Sequence, residues 1–233
     1  MLAPLIVITG TGTGIGKTHI ACALLRCAGR ERRVFGYKPI ESGLSSTQLS
    51  DAERLAEAST FHVQHWPGLR LAAPLSPDMA AKLEGKTLDW AAVVAFTLQL
   101  RMSGVAILVE LPGGLFTPIS SELRNIDGVL ALKPTATLLV ASDRLGVLHD
   151  VGAAIAGAQH VRVPISGIGL VEPEQRDLST GQNAGSLHRL LDVAVLGTWG
   201  RSPVDALQHV DATKAVVRSW LRSSGQAAFI HLK

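Results

Sequence analysis

One stretch near the start of the chain constrains the fold more than any other. An apolar run over residues 5–9 leads into a glycine-rich segment, residues 10–18, which ends in Gly-Lys-Thr. A helical pattern follows, from His19 to about Arg30. Glycine has no Cβ, so successive backbone N–H groups can turn toward an anion, and the N-terminus of the following helix adds partial positive charge. Strand, loop and helix in this order predict a phosphate-binding loop.

The residues of this loop predict a nucleotide site. Lys17 is expected to reach the β- and γ-phosphates, and the Thr18 hydroxyl is expected to ligate magnesium. Thr11 stands where the common spacing G-x-x-x-x-G-K-[ST] has glycine, so the loop is one residue longer than usual or is entered differently. A glycine-rich turn that binds nothing is the alternative interpretation. The predicted nucleotide-binding residues of the loop are Gly12, Thr13, Gly14, Ile15, Gly16, Lys17 and Thr18.

The rest of the chain alternates between apolar runs of strand length and helical patterns. Runs that are continuously apolar indicate a parallel sheet covered on both faces. We therefore predict an α/β fold with a doubly wound, mostly parallel sheet, similar to P-loop NTPases, as a single domain over residues 1–233. Further strands are predicted at residues 34–37, 105–109, 135–141, 165–171 and 193–196. Further helices are predicted at residues 51–59, 78–83, 88–102, 147–159, 181–191 and 212–221, and a loop at residues 111–125.

Composition narrows the classes of protein that remain. Hydrophobic residues make up 47% of the chain and charged residues 18%, which is typical of a globular protein. The net charge of +3 favours anionic ligands only weakly, so we expect no nucleic-acid partner. The first apolar stretch is too short to span a membrane, and we expect a strand there rather than a signal peptide. Cys22 and Cys27 point to different faces of the first helix, which predicts two small buried thiols in a cytoplasmic protein.

Polar residues follow the predicted strands at the edge where the phosphate-binding loop lies. Lys38 follows the second strand, Glu110 ends the central strand, and Asp51 begins a helix. In a doubly wound sheet, ligands bind at the carboxyl ends of the strands. Two carboxylates and the Thr18 hydroxyl are hard oxygen ligands of the kind magnesium prefers, and two lysines can neutralise charge during phosphoryl transfer. Ordinary roles stay open: a solvated strand end for Lys38, a helix-start charge for Asp51 and a strand-terminal charge for Glu110.

Several motifs together resemble one enzyme family, the dethiobiotin synthetases, which are homodimeric ATP-dependent ligases of biotin biosynthesis. Residues 9–18 match the family's extended phosphate-binding loop, and residues 36–43 read Gly-Tyr-Lys-Pro-Ile-Glu-Ser-Gly. These and the further matches occur in family order from residue 5 to about residue 170, and the long loop combined with Tyr-Lys-Pro is fairly specific. The further matches are Ser50-Asp51, residues 74–77, Val109-Glu110 with Gly113-Gly114, and Leu145-Gly146.

The resemblance implies a reaction and its cofactors. The family carboxylates 7,8-diaminopelargonic acid with carbon dioxide and closes a cyclic urea through a carbamate and a mixed carbamic–phosphoric anhydride, consuming a nucleoside triphosphate with magnesium. By resemblance, Lys17 holds the phosphates, and Lys38 acts on the carbamate and the transferring phosphoryl group. Magnesium would be held by Thr18, Asp51 and Glu110. The substrate would contact Thr13, Lys38, Ser42 and Gly113, and its carboxylate would bind backbone N–H groups near Leu145 and Gly146 of the partner subunit.

The sequence departs from the family pattern on the substrate side. Leu111 and Pro112 replace the usual Gly-Ala, which alters how closely the backbone can approach the substrate. Gly12 stands where many members have aspartate, and Asp78 replaces a usual histidine. The segment after the Leu-Gly pair also differs, with His149-Asp150 in place of the usual Asn-His.

The nucleotide-base side departs as well. The family's base-recognising asparagine falls at about Val171, which has no amide, so ATP and other nucleoside triphosphates both stay open. Gly200 and Trp199 are candidates to line the base pocket, and packing in the core is the alternative for Trp199. For Ser42, which stands in a Ser-Gly pair, the alternative to a substrate contact is an ordinary turn residue.

Four functions are compatible with the sequence. The first is a dethiobiotin synthetase, and the second is a related ATP-dependent ligase for another amine or carboxylate. The third is a nucleotide-dependent partitioning switch, but such proteins resemble one another in a lysine early in the loop, where this chain has Gly12. The fourth is a relative that binds nucleotide without turnover.

Overall fold

The computed structural model describes residues 2–45 and 47–222, and its centre is a sheet of six parallel strands. In chain order the strands are β1 (Leu5–Gly10), β2 (Val34–Tyr37), β3 (Ile40–Glu41), β4 (Leu69–Arg70), β5 (Ala106–Glu110), β6 (Ala136–Ser142), β7 (Gly167–Val171) and β8 (Val195–Trp199). The six-stranded sheet has the order β2-β5-β1-β6-β7-β8, and β3 pairs with β4 in a separate small sheet. The strand order reverses beside β1, and the glycine-rich loop therefore lies at a topological switch point.

Helices cover both faces of the large sheet. They are α1 (Lys17–Ala28), α2 (Asp51–Glu57), α3 (Pro77–Leu83), α4 (Trp90–Met102), α5 (Asn125–Leu132), α6 (Val147–His160), α7 (Asn183–Leu190), α8 (Val204–Leu207) and α9 (Asp211–Arg222). Side chains alternate along β1, so that Ile6 and Ile8 pack with α1 and α9, whereas Leu5 and Val7 pack with α4 and α5. Each large apolar side chain buried in this way stabilises the fold by about 1.5–3 kcal/mol.

The predicted fold class is confirmed, and each predicted strand and helix is present with ends within about three residues. The prediction missed four short elements: β3, β4, α5 and α8. Helix α5 begins at Asn125, where a loop was predicted to end, and its first turn contains Asp127 and Gly128. Gly128 is required by packing, because a Cβ there would lie 2.7 Å from the ring of Trp90. A turn-like sequence therefore forms a helix, because its tertiary neighbours favour one.

Two smaller expectations change. Cys22 is buried, whereas Cys27 is half-buried and packs against the edge of the same hydrophobic core; both are free thiols. Among the described residues, no helix is long and apolar enough to cross a bilayer. The single-domain prediction also covers residues 1, 46 and 223–233, which lie outside the described residues, so it stays a prediction.

Candidate active site

The glycine-rich loop joins β1 to α1 through two residues with positive φ. Gly14 has φ 70° and Gly16 has φ 93°, conformations that side chains rarely adopt. A Cβ on Gly16 would also lie 2.8 Å from Val171 Cγ1, because β7 passes directly beneath the loop. Helix α1 then begins at Lys17, and its N-terminal N–H groups face the pocket.

Lys17 is largely buried and lies inside the loop. Its Nζ donates a hydrogen bond to the Gly12 carbonyl oxygen, at 2.6 Å. Burial lowers the pKa of Lys17 to about 8; the Glu110 carboxylate opposes this shift, and the Lys38 ammonium adds to it. In the free protein, burial therefore disfavours the charged form of Lys17, and a bound anion would stabilise that form.

Lys17 makes nucleotide affinity depend on pH. The ligand-free pKa is about 8, so above that pH the site must take up a proton to bind phosphates. We expect ATP affinity to fall by up to about tenfold per pH unit between about pH 8 and pH 10. Calorimetric titration of ATP across this range measures the slope, and Lys17→Met should abolish it. A wild-type affinity that stays constant over the range would contradict this assignment.

The same pKa shift has a defined effect on stability. The pKa of Lys17 is 10.5 in its unperturbed state and about 8 in the folded protein, so the unfolded chain binds more protons between these values. The contribution of Lys17 to the free energy of unfolding therefore rises with pH across this window.

Lys38 lies between two carboxylates at the carboxyl edge of the sheet. Its Nζ is 2.7 Å from Glu110 Oε1 and forms an ion pair with Asp51 Oδ2. The Thr18 hydroxyl donates to the same Glu110 oxygen at 2.9 Å. Burial by itself lowers the pKa of Lys38, but Glu110 and Asp51 together outweigh burial and raise it well above its usual value. The Lys38 ammonium also holds the pKa of Asp51 below its usual range, against the effect of burial.

The oxygens around Lys38 fit magnesium. Glu110 is fully buried, and its Oε2 has no hydrogen-bond partner among the described residues. A hydroxyl and two carboxylates are hard oxygen donors, and magnesium is commonly held by one or two carboxylates together with waters and substrate phosphates. Within the described part of the chain, no group of three or more His, Cys, Asp or Glu side chains could form an all-protein metal cage. Thr18, Asp51 and Glu110 are therefore suited to a metal that arrives with a phosphate ligand.

These groups open into one cavity of about 820 Å³, large enough for a nucleotide's phosphates and a small substrate. Predicted substrate contacts Thr13, Ser42 and Gly113 all line it. The Ser42 hydroxyl donates to the Leu75 carbonyl oxygen at 2.7 Å, which joins two separate segments of the cavity wall. The other lining residues are Gly14, Ile15, Gly16, Lys17, Thr18, His19, Lys38, Glu41, Gly43, Asp51, Arg54, Pro74, Leu75, Ser76, Pro77, Glu110, Pro112 and Thr117.

The predicted base-side residues do not line this cavity. Val171 is buried under the loop, and its contact is with Gly16. Trp199 is fully buried, and its indole N–H donates to the Thr213 hydroxyl at 2.8 Å, so its packing alternative is the correct one. Gly200 is half-buried beyond β8, where a Cβ would lie 3.5 Å from Glu172 Oε2.

The Leu145–Gly146 pair lies away from the cavity, at the start of α6. Leu145 is 76% exposed, and its backbone N–H donates to Asp177 Oδ2 at 2.8 Å. The Asp177 carboxylate also accepts hydrogen bonds from the Ser179 hydroxyl and N–H. Together these hydrogen bonds lower the pKa of Asp177 to about 2. The chain's own carboxylate thus occupies one of the N–H groups expected to bind a substrate carboxylate.

The departures from the family pattern take ordinary positions. Leu111 is buried in the core, whereas Pro112 lines the cavity. Asp78 forms a surface ion pair with Lys82 one turn along α3. His149 and Asp150, in the first turns of α6, border a second cavity of about 500 Å³ on the far side of the loop.

Sequence reasoning missed three residues that hold the site together. Asn125 is fully buried, and its side-chain amide donates to the carbonyl oxygens of Pro112 and Gly114. Glu41 and Arg70 are paired in the small sheet. Glu41 lies close to Lys38 in sequence, and the Arg70 guanidinium donates a hydrogen bond to the Lys38 carbonyl oxygen. Glu41 lies within the motif of residues 36–43, but its role depends on a hydrogen bond from the Asp51 N–H, ten residues further along the chain. Nothing local marks Arg70 or Asn125.

The fold and the loop define this chain as a P-loop nucleotide-binding protein. A family model described as an AAA domain matches residues 5–203. The fold is shared with the MinC:MinD cell division protein complex of Aquifex aeolicus, at TM-score 0.56 and 14% identity, covering 92% of this chain and 93% of that one. It is shared as well with a ParA family ATPase of Chlorobium tepidum, at TM-score 0.55 and 15% identity, over 100% and 99% of the two chains.

Sequence comparison identifies the family within this class. The ATP-dependent dethiobiotin synthetase of Anaeromyxobacter dehalogenans is 37% identical over 188 residues, which are 78% of this chain and 83% of that protein. The corresponding protein of a Caulobacter species is 35% identical over 204 residues, 83% and 86% of the two chains. The chain belongs to the ATP-dependent dethiobiotin synthetase family.

Proposed function

We propose that this chain is an ATP-dependent dethiobiotin synthetase, a ligase that carboxylates 7,8-diaminopelargonic acid and closes the cyclic urea. One observation supports this above the others. Lys38 is held between Glu110 and Asp51, beside the phosphate-binding loop and facing the same cavity as Thr13 and Gly113. A cation fixed there can act on both a carbamate and a phosphoryl group.

In this reaction the protein mainly binds the reactants and stabilises negative charge. One substrate amine adds to carbon dioxide and loses a proton, which gives a carbamate. A carbamate oxygen attacks the γ-phosphorus and the nucleoside diphosphate leaves; the second amine then attacks the carbonyl carbon, phosphate leaves, and the attacking nitrogen loses a proton. Lys17 and the loop N–H groups bind the triphosphate, and Lys38 stabilises negative charge on the carbamate and the transferring group. Magnesium, held by Thr18, Asp51 and Glu110, would neutralise phosphate charge.

Several finer features belong to the same proposal. The two free thiols are compatible with a cytoplasmic protein. The family resemblance supports a homodimer with no nucleic-acid or membrane partner, and bicarbonate or carbon dioxide as co-substrate. We propose ATP as the usual nucleotide, bound with its base near Gly200, where the strand β8 ends beside Glu172.

The test is incubation of the pure protein with diaminopelargonate, bicarbonate, magnesium and each of several nucleoside triphosphates. Phosphate release that depends on diaminopelargonate, with formation of the cyclic urea, supports the proposal. Release with another diamine only would identify a related ligase. Hydrolysis stimulated by DNA or lipid would identify a switch, and nucleotide binding without turnover would identify an inactive relative.

Asp177 offers a test of the substrate-carboxylate site. If the substrate carboxylate binds the Leu145 N–H of the partner subunit, it must displace the Asp177 carboxylate that holds this N–H at 2.8 Å. Two carboxylates competing for one donor also repel each other. We expect Asp177→Ala to lower KM for diaminopelargonate about fivefold, less than a hydrogen bond to a buried charge contributes, because the exposed Asp177 carboxylate is screened by solvent.

Asp177→Asn is the matched variant, because its amide oxygen can still accept the N–H while the charge is gone. An intermediate KM is expected for it. KM for ATP serves as the internal reference and should not move. If KM for diaminopelargonate is the same in all three proteins, the substrate carboxylate does not bind at Leu145.

A further inference from the structure

Glu41 caps a helix that is distant in sequence from it. Its side chain is buried, and both carboxylate oxygens accept backbone hydrogen bonds from the start of α2. Asp51 N–H donates to Oε1 at 2.6 Å, and Ala52 N–H donates to Oε2 at 3.2 Å. A carboxylate is favoured there, because the first N–H groups of a helix lack intrahelical partners and carry partial positive charge.

The backbone that carries Glu41 is itself held in place. In the small sheet, Glu41 pairs with Arg70, and backbone hydrogen bonds continue from Pro39 through Leu44 to residues 69–73. The Arg70 guanidinium lies 3.8 Å from Glu41 Oε2 and donates to the Lys38 carbonyl oxygen at 3.1 Å. One arginine therefore contacts both the cap and the backbone of the central lysine.

The first residue that Glu41 caps, Asp51, is also one of the two carboxylates that contact Lys38. Asp51 receives the Glu41 cap on its backbone N–H, and its side chain forms the ion pair with Lys38. A helix start that shifts by about 1 Å would move the Asp51 carboxylate away from Lys38 and Thr18, and misplacements of that size are costly in active sites. The ordinary cap of α2 is a different one, because Ser50 and Glu53 already form a capping box.

We propose that Glu41, supported by Arg70, is a positioning residue that fixes the Asp51 carboxylate for magnesium and for Lys38. The capping box satisfies the N–H groups of Ser50 and Glu53, whereas Glu41 accepts from Asp51 and Ala52, so the two carboxylates hold different groups of the same helix start. The part of this inference that concerns turnover rests on the proposed function. The part that concerns magnesium requires only a nucleotide-binding protein.

Glu41→Ala and Glu53→Ala form a matched pair, since each removes one carboxylate from the same helix start. Glu53 is exposed, and within the described part of the chain its carboxylate accepts hydrogen bonds from the Ser50 N–H and hydroxyl. We expect Glu41→Ala to raise the magnesium concentration needed for half-maximal magnesium-dependent ATP binding about tenfold, and to lower kcat by a similar factor. Glu53→Ala should change both by less than about twofold. Fluorescence titration with an ATP analogue measures the first quantity.

Glu41→Gln keeps the inference testable if Glu41→Ala does not fold. Its amide oxygen can accept the Asp51 N–H, whereas its NH₂ group faces the Ala52 N–H, so an intermediate magnesium requirement is expected. Circular dichroism on every variant verifies folding. Equal magnesium requirements in the Glu41 and Glu53 variants would overturn the inference. A wild type without diaminopelargonate turnover would overturn the proposed function instead, and the magnesium titration would still decide the role of Glu41.

Discussion

Lys38→Ala is expected to lower kcat for dethiobiotin formation by about 10²–10³-fold, the loss typical of removing one preorganised charge-stabilising donor. ATP affinity should change far less, because the loop N–H groups and Lys17 remain. Lys38 is 6% exposed and forms ion pairs with both Glu110 and Asp51, so its charge is held in the wall of the cavity that the phosphate-binding loop also lines. Steady-state kinetics with separate ATP-binding titrations measure the two effects.

The variant also leaves Glu110 buried without its cation, a state that costs about 3–5 kcal/mol in comparable pairs. Thermal unfolding with and without magnesium should show part of this loss recovered by the metal. Methylammonium, small enough for the space left by the side chain, should restore part of kcat. Lys82→Ala is the control, because Lys82 pairs with Asp78 on the exposed side of α3. Loss of ATP affinity with an unchanged rate per bound complex would mean that Lys38 has another role.

Glu110→Gln is expected to lower kcat by at least about 10²-fold, because a bound metal supplies several kcal/mol of charge stabilisation. Glutamine has the shape of glutamate and can still accept the Thr18 hydroxyl, so the fold is expected to persist. What is lost is the charge next to Lys38 and the unpartnered Oε2. The magnesium concentration for half-maximal ATP binding should rise at least about tenfold.

Glu57→Gln provides the control for that experiment, since Glu57 is exposed in the last turn of α2. A second variant, Lys38→Met with Glu110→Gln, separates stability from catalysis. Removing both charges of a buried pair is often neutral for stability, so this protein should unfold near the wild-type temperature and yet be inactive. If Glu110→Gln keeps the wild-type magnesium requirement, Glu110 is not a metal ligand.

Lys17 and Thr18 could be assigned from sequence, because the loop's function follows from local backbone chemistry. Lys38, Asp51 and Glu110 could be proposed together, because parallel strands end at the same edge. That Lys38 bridges the two carboxylates could not be foreseen, because it depends on side-chain directions across three separate segments.

The residues that hold the site in place could not be predicted either, because their contacts also join separate segments of the chain. Glu41 caps a helix that begins ten residues later, and Arg70 reaches it through a two-residue sheet too short to leave a pattern. Trp199 shows the reverse case. Its sequence position allowed a pocket role or a core role, and the hydrogen bond to Thr213 from a distant helix decided for the core.

By itself, the sequence determined the fold class and the phosphate-binding loop, because continuous apolar runs and a glycine segment before Gly-Lys-Thr are local signals with local causes. Tertiary structure alone decided how the loop's neighbours combine. It placed the Lys38 ammonium on Glu110 and Asp51, put Glu41 under the start of α2, and put Asp177 on the Leu145 N–H. Such contacts join residues far apart in the chain, and their energies depend on burial and distance, which no local pattern specifies.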